Sequence, residues 1–221
     1  MQQGDFVLID FVGRIKDTGE IFDLTLVDVA KKENVYSDRL TYKPVMIIVG
    51  SAMTIKGLEE AVEGMQVGEK KKVEIETAKA FGDRRQDLIK LIPMSTFTEQ
   101  NIDPEPGSYV TVNNVNGRVV SIDGGRIKVD FNHPLAGKRL EYEIEIKSKI
   151  EDANEKIKSV VAYFIGIGQN DVELSVNGKD AEISFKKKFD MSVRMKGDIA
   201  ATIMKWVGPT EKVKFVDSYS K

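Results

Sequence analysis

The sequence predicts an α+β protein, and three observations predict it. A β-rich apolar run stands at 6–15, and alternating, period-2 runs stand at 70–77 and 140–149. One short amphipathic helix pattern lies between the first two, at 55–65. The closing stretch, 151–221, orders its patterns as αββαβ.

Each element follows in turn. Phe6 to Ile15 is a β-rich run, Lys16-Asp17-Thr18-Gly19 is a hairpin turn, and Glu20 to Asp23 begins the return strand. Leu24 to Lys43 is of mixed charge without a period and ends at Pro44, and Val45 to Val49 reads as a short buried strand. After a turn at Gly50, Ile55, Leu58, Val62 and Met65 form one helical stripe, with Lys56, Glu59, Glu60 and Glu63 facing away. A helix of about ten residues is marginal in water, so packing must hold it. Turns at Gly64 to Gly68 lead to an alternating run, Lys70 to Thr77, followed by Ala80-Phe81-Gly82.

Beyond that, Tyr109 to Thr111, Arg118 to Ile122 and Arg126 to Val129 are three short β-type runs, the last two joined by the hairpin signal Asp123-Gly124-Gly125. Leu140 to Lys149 alternates again. Asp152 is placed as an N-cap with Glu155 three residues on, and Ile157, Val160, Val161 and Phe164 keep a helical stripe as far as Gly166. Asn177-Gly178 signals a hairpin between Val172–Val176 and Ala181–Phe185. Ser192 to Val207 reads as a second helix, stopped by Gly208-Pro209, and Val213 to Val216 as a last strand.

Composition removes much chemistry. The chain has 221 residues, 41% of them apolar and 31% charged, with a net charge of -2. That length allows one large domain or two to three small ones. The near balance of charge argues against a general nucleic-acid or anionic-membrane binder. Residues 151–221 carry 12 basic and 11 acidic side chains, which leaves no basic face there; Lys186-Lys187-Lys188 reads as a solvated strand end. No apolar run approaches the length of a membrane span, and no signal peptide is visible, so a cytoplasmic protein is expected. With no cysteine and the single histidine His133, thiolate nucleophiles, a multi-histidine zinc site and a serine triad of the usual pattern drop out, and no phosphate loop is present. No cofactor or metal is expected.

Several short motifs arrive in a telling order: Phe11-Val12-Gly13, Phe22-Asp23, Gly50 with Ile55-Lys56-Gly57-Leu58-Glu59, Met65 to Gly68, and Ala80-Phe81-Gly82. Together they resemble the FKBP-type peptidyl-prolyl isomerases, in which a twisted antiparallel sheet wraps a short helix. Asp130-Phe131-Asn132-His133-Pro134-Leu135-Ala136-Gly137-Lys138-Arg139-Leu140 resembles the re-entry segment of SlyD-type members, where an insert-in-flap chaperone domain replaces the flap. The resemblance covers residues 1–150. It implies an isomerase domain at 1–82 plus 133–150, a small β-rich inserted domain at 83–132, and a C-terminal α+β domain at 151–221 of the kind that ends long archaeal-type FKBPs.

The resemblance also implies a proline pocket lined by Phe11, Phe22, Val45, Ile55, Leu58, Phe81 and Tyr142, with Asp23 at its edge. Phe11 and Phe81 stand where tyrosines are usual and Leu58 where a tryptophan floor is usual, so tight macrolide binding is not expected. In the insert, Leu88, Ile89, Leu91, Ile92, Met94, Phe97 and Tyr109 are the candidates for contact with clients, most of them serving the module's own core. The function implied is isomerisation of Xaa-Pro amides together with chaperone activity on unfolded, proline-containing clients. The rival reading is a holdase or assembly scaffold with a weak or inactive pocket; a nickel-handling accessory is a distant third, since the histidine-rich tail of SlyD is absent. An uncovered edge or face of the C-terminal sheet suggests a homodimer or client contact.

Overall fold

The structure, a computed structural model, describes residues 1–187 and 189–217; Lys188, the end of the expected lysine run, lies outside them. The chain divides into two compact units. The first joins Met1–Glu74 to Glu141 and onward, and the second is Ile75–Leu140.

The first unit is organised around β1 (Phe6–Ile15), which is buried along almost its whole length. A strand so enclosed needs partners on both sides, and its two halves use different ones. Its C-terminal half pairs antiparallel with β2 (Ile21–Leu24) and its N-terminal half with β3 (Val45–Ile48). Between β2 and β3 lies α1 (Val27–Lys32), in the stretch of mixed charge to which the sequence assigns no element. Six residues with one buried side chain, Ala30, and no side-chain N-cap show no readable period.

The helix of the opening motif, α2, spans Lys56–Val62, shorter than its stripe suggests. Leu58, Ala61 and Val62 are enclosed, and Met65 is enclosed in the turn that follows. Lys71 donates to the Ala61 carbonyl at 3.0 Å, placing a cation at the helix's C-terminal end. Strand β4 (Lys70–Ile75) completes a sheet of order β2-β1-β9-β4, where β9 is Leu140–Ile150.

The second unit is a four-stranded antiparallel sheet. Its strands are β5 (Ile89–Pro93), β6 (Tyr109–Val112), β7 (Val115–Asp123) and β8 (Arg126–Asp130), in the order β5-β8-β7-β6. The expected hairpin is present, with Gly124 and Gly125 at φ 53° and 75° between the paired Asp123 and Arg126. That left-handed pair is what a two-residue turn of matching twist requires. The apolar stretch Leu88 to Phe97 resolves into β5 and a one-turn helix, α3 (Met94–Thr98).

Past β9 the chain forms α4 (Ala153–Ile165), β10 (Val172–Asn177), β11 (Asp180–Phe185), α5 (Val193–Trp206) and β12 (Lys212–Phe215), the expected order. Asp152 caps α4 by accepting from the Glu155 N–H at 2.9 Å, and Gly166 ends it at φ 75°. Ser192 caps α5 from the Met195 N–H at 3.2 Å. The hairpin loop is Gly178-Lys179, with Asn177 paired to Asp180, one residue later than the sequence signal suggests. β12 joins β11 in parallel.

This C-terminal segment, read as a domain of its own, does not keep its apolar faces to itself. Ile157, Val160 and Val161 of α4, Ile199 and Ile203 of α5, and Ala181 and Ile183 of β11 share one buried cluster with Phe6 of β1 and Met46 and Ile48 of β3. The other face of its small sheet is polar, carrying Glu173, Ser175, Glu182, Lys212 and Lys214.

Candidate functional site

Three neighbouring strands, β2, β1 and β9, each contribute one aromatic ring to a common cluster. The Phe11 and Tyr142 rings lie 5.6 Å apart at 48°, and the Phe22 ring meets Tyr142 edge-on at 5.6 Å and 78°. Tilted and edge-on contacts set the positive rim of one ring against the negative face of another. Phe11 and Tyr142 are buried and Phe22 is half-buried, so the cluster has one wettable side.

The β1–β2 ladder slips between Gly13 and Arg14. Such a bulge re-aims side chains, and here Phe22 lies over Gly13: a Cβ on that glycine would sit 2.7 Å from the Phe22 Cζ. Phe11 is fixed from the other end. Its N–H donates to Thr25 Oγ1 at 2.9 Å, its carbonyl accepts from the Thr25 N–H at 3.0 Å, and Thr25 Oγ1 donates to the buried Asp10 carboxylate at 2.8 Å.

Asp23 pairs opposite Gly13. The residue is exposed by area, yet crowding around its carboxyl strips water and raises its pKa, against the pull of a backbone N–H from Leu24. Burial, and then the charge of Asp23, push the Tyr142 hydroxyl well above its ordinary range. Tyr142 is therefore a neutral phenol at every ordinary pH.

Of the other expected pocket residues, Leu58 is enclosed and Val45 and Ile55 are half-buried, all in the first unit. Phe81 belongs to the second unit, where its ring stacks flat on His133 at 4.1 Å and 3°. His133 Nδ1 accepts from the Leu135 N–H at 3.1 Å, which assigns the neutral ring's proton to Nε2. Residue patterns alone did not single out Thr25 or Asp10, nor Glu59, whose Oε1 is buried without a hydrogen-bond partner among the described residues although Glu59 was expected to face away. The signal for Thr25, a lone hydroxyl after the return strand, is too common to read.

In the second unit the expected client-contacting residues part company. Phe97 is fully enclosed, at the centre of a core with Val110, Val112, Val119, Ile127 and Val129. It is structural, because a side chain sealed inside the sheet's own core has no surface to offer. Leu91 and Tyr109 are 64% and 66% exposed, on the edge strands β5 and β6. Leu88, Ile89, Ile92 and Met94 are half-buried. Leu88 and Ile92 line a groove of about 450 Å³ with Lys90, Thr96, Val112, Asn113, Val115 and Phe131.

Among the described residues no cluster of three or more His, Cys, Asp or Glu could hold a metal ion, and no helix is long and apolar enough to cross a membrane.

Comparison with known proteins identifies the family. Residues 90–135 match the family model described as FKBP26, IF domain. A short-type peptidyl-prolyl cis-trans isomerase of Methanocaldococcus jannaschii is 33% identical over 147 residues, covering 66% of this chain and 92% of that protein. The FKBP-type 16 kDa peptidyl-prolyl cis-trans isomerase of Escherichia coli is 34% identical over 130 residues, covering 57% of this chain and 85% of its own. The FKBP-type isomerase SlyD of Helicobacter pylori is 28% identical over 150 residues, covering 64% and 80%. The chain belongs to the FKBP-type peptidyl-prolyl cis-trans isomerases.

Proposed function

We propose that this protein rotates Xaa-Pro amides in a pocket built on the Phe11–Phe22–Tyr142 cluster and holds unfolded clients through its second unit. The observation that carries the first part is that cluster: three rings from three adjacent strands, two of them buried and Phe22 half-buried.

The barrier to amide rotation is ~18–20 kcal/mol because resonance makes the C–N bond partly double. Water supports that resonance by hydrogen-bonding the polar planar amide. A dry aromatic wall removes the support, and a pocket shaped for the twisted amide gains contacts that neither planar form makes. Each ~1.4 kcal/mol gained in this way is tenfold in rate. No nucleophile, acid or metal takes part. Phe11, Phe22, Val45, Ile55, Leu58 and Tyr142, all of the first unit, are the proposed lining, and the Asp23 charge at the edge favours the neutral, donor-competent form of Tyr142.

The second unit supports client binding by its exposed Leu91 and Tyr109 and by the apolar groove between Leu88, Ile92, Val115 and Phe131. Exposed apolar surface of this kind marks contact with other chains. Holding a client there raises its concentration at the pocket. A second copy of the chain, if one binds, would meet the open edges of β10 or β12, since the outer face of that sheet is polar.

The test is a protease-coupled assay on proline tetrapeptides at catalytic protein concentration, with wild type and Phe22→Leu. Turnover by the wild type, reduced tenfold or more in a variant that keeps its circular dichroism, is the expected result. A wild type that accelerates nothing yet suppresses aggregation would leave the holdase reading in its place.

A further inference from the structure

We infer that helix α4 is part of the isomerase machinery: through Met53 and Tyr163 it clamps the loop Gly50–Ile55 and thereby positions Ile55 in the pocket. The inference rests on the pocket reading above and assigns the C-terminal segment a role in it.

The loop does not hold itself. Gly50 and Ala52 both have left-handed backbones, at φ 79° and 61°, and for alanine that conformation is unfavourable because its Cβ crowds the backbone. Inside the loop, Ser51 Oγ donates to the Ile48 carbonyl at 2.7 Å and accepts from the Met53 N–H at 3.3 Å. The Ser51 N–H also donates to the Ile48 carbonyl, at 3.1 Å, and further contacts come from outside. The Tyr163 hydroxyl, on α4, donates to the Met53 carbonyl at 3.3 Å. The Met53 side chain packs into the same cluster as Ile157, Val160 and Val161 of α4. α4 also lies against β3, the strand that delivers the loop. On the other flank the Gln3 side chain crosses Gly50 so closely that a Cβ there would meet its Cγ at 2.8 Å.

Two residues after Met53 the chain reaches Ile55, whose carbonyl accepts from the N–H groups of Leu58 at 3.0 Å and Glu59 at 3.2 Å. Ile55 is thus the N-cap of α2 and the joint between clamp and pocket. With no side-chain cap on that helix, the position of its first turn depends on the loop that precedes it. Tyr163 is a positioning residue, acting on the pocket through Met53 and Ile55.

The test uses the full chain with Tyr163→Phe, which removes only the hydroxyl, and Met53→Leu, which keeps an apolar side chain in the cluster. Amide exchange at Met53, Leu58 and Glu59 is read together with kcat and KM on a proline tetrapeptide and with Tm. The expected result for Tyr163→Phe is exchange at those three amides faster by about three- to tenfold, the worth of one net hydrogen bond. A lower kcat/KM should accompany it while Tm and the exchange of α4 stay at wild-type values; Met53→Leu, which keeps the carbonyl, should remain close to wild type. Wild-type exchange and wild-type kcat/KM in Tyr163→Phe would overturn the clamp. Faster exchange in a protein whose wild type shows no turnover would instead keep the clamp and remove the isomerase reading.

Discussion

The Phe22 ring rests on the backbone of Gly13, with a hypothetical Cβ on the glycine only 2.7 Å from the ring's Cζ. That space has no other use, since Gly13 has a φ that any residue could adopt and no special backbone conformation to explain it. Gly13→Ala should therefore act through the ring. The methyl group forces Phe22 off the edge of Tyr142 at a cost of about 1–3 kcal/mol, the usual range for overpacking. Tetrapeptide turnover should fall with the stability, both read on one preparation by denaturant unfolding and the coupled assay.

Thr25→Val keeps the shape and loses the hydroxyl. It leaves the Phe11 N–H and one oxygen of the buried Asp10 without the partners they have at 2.9 and 2.8 Å. A loss of about 1–3 kcal/mol in unfolding free energy is expected for buried polar groups so stranded. Thr25→Ser, which restores the hydroxyl, should recover most of it.

Asp23 supplies a pH dependence of the less familiar sign. Its folded pKa is raised, chiefly by desolvation, so between its unfolded and folded pKa values the native state holds the proton that the unfolded chain has lost. Its contribution is fully present below the unfolded pKa, ~3.9, and is lost as pH rises through the folded value. Asp23→Asn should thus be more stable than wild type at pH 7 and no more stable at pH 3. Denaturation midpoints at the two pH values decide it, and an equal difference at both would remove the argument. The exposure of the residue keeps the effect small.

Leu91→Asp with Tyr109→Ser removes exposed apolar area from both edge strands of the second unit and spares its core. Turnover of tetrapeptides should be unchanged, whereas suppression of aggregation and acceleration of proline-limited refolding of a whole protein should fall several-fold. Replacing 83–132 by a short flap should do the same more severely. Loss on both kinds of substrate would break the proposed division of labour.

What could be read from residues alone was mostly local. The cap at Asp152 and the Gly124-Gly125 turn carry their chemistry in neighbouring side chains, and each is present in the structure. Features that depend on distant partners were harder. α1 is too short to show a period, and Glu59 sits on the polar side of a helical wheel although one of its oxygens is buried. The meeting of Phe11, Phe22 and Tyr142 rests on sheet order, which no window of sequence displays; only likeness to a known family brought those three together beforehand. The same limit made 151–221 look independent, because a strand such as Phe6-Val7-Leu8-Ile9 is equally apolar whichever element covers it.

That covering has a consequence for how the chain is made. Phe6 meets its shared core with Ile203 only after about 200 further residues have been joined, which at ~5–20 residues per second takes tens of seconds on a ribosome. Throughout that interval the outward side of β1 and β3 has no lid, and contacts of such long separation are slow to close even afterwards. The first unit is thus among the structures whose closing contacts come last, at the end of synthesis, whatever the speed of its local elements.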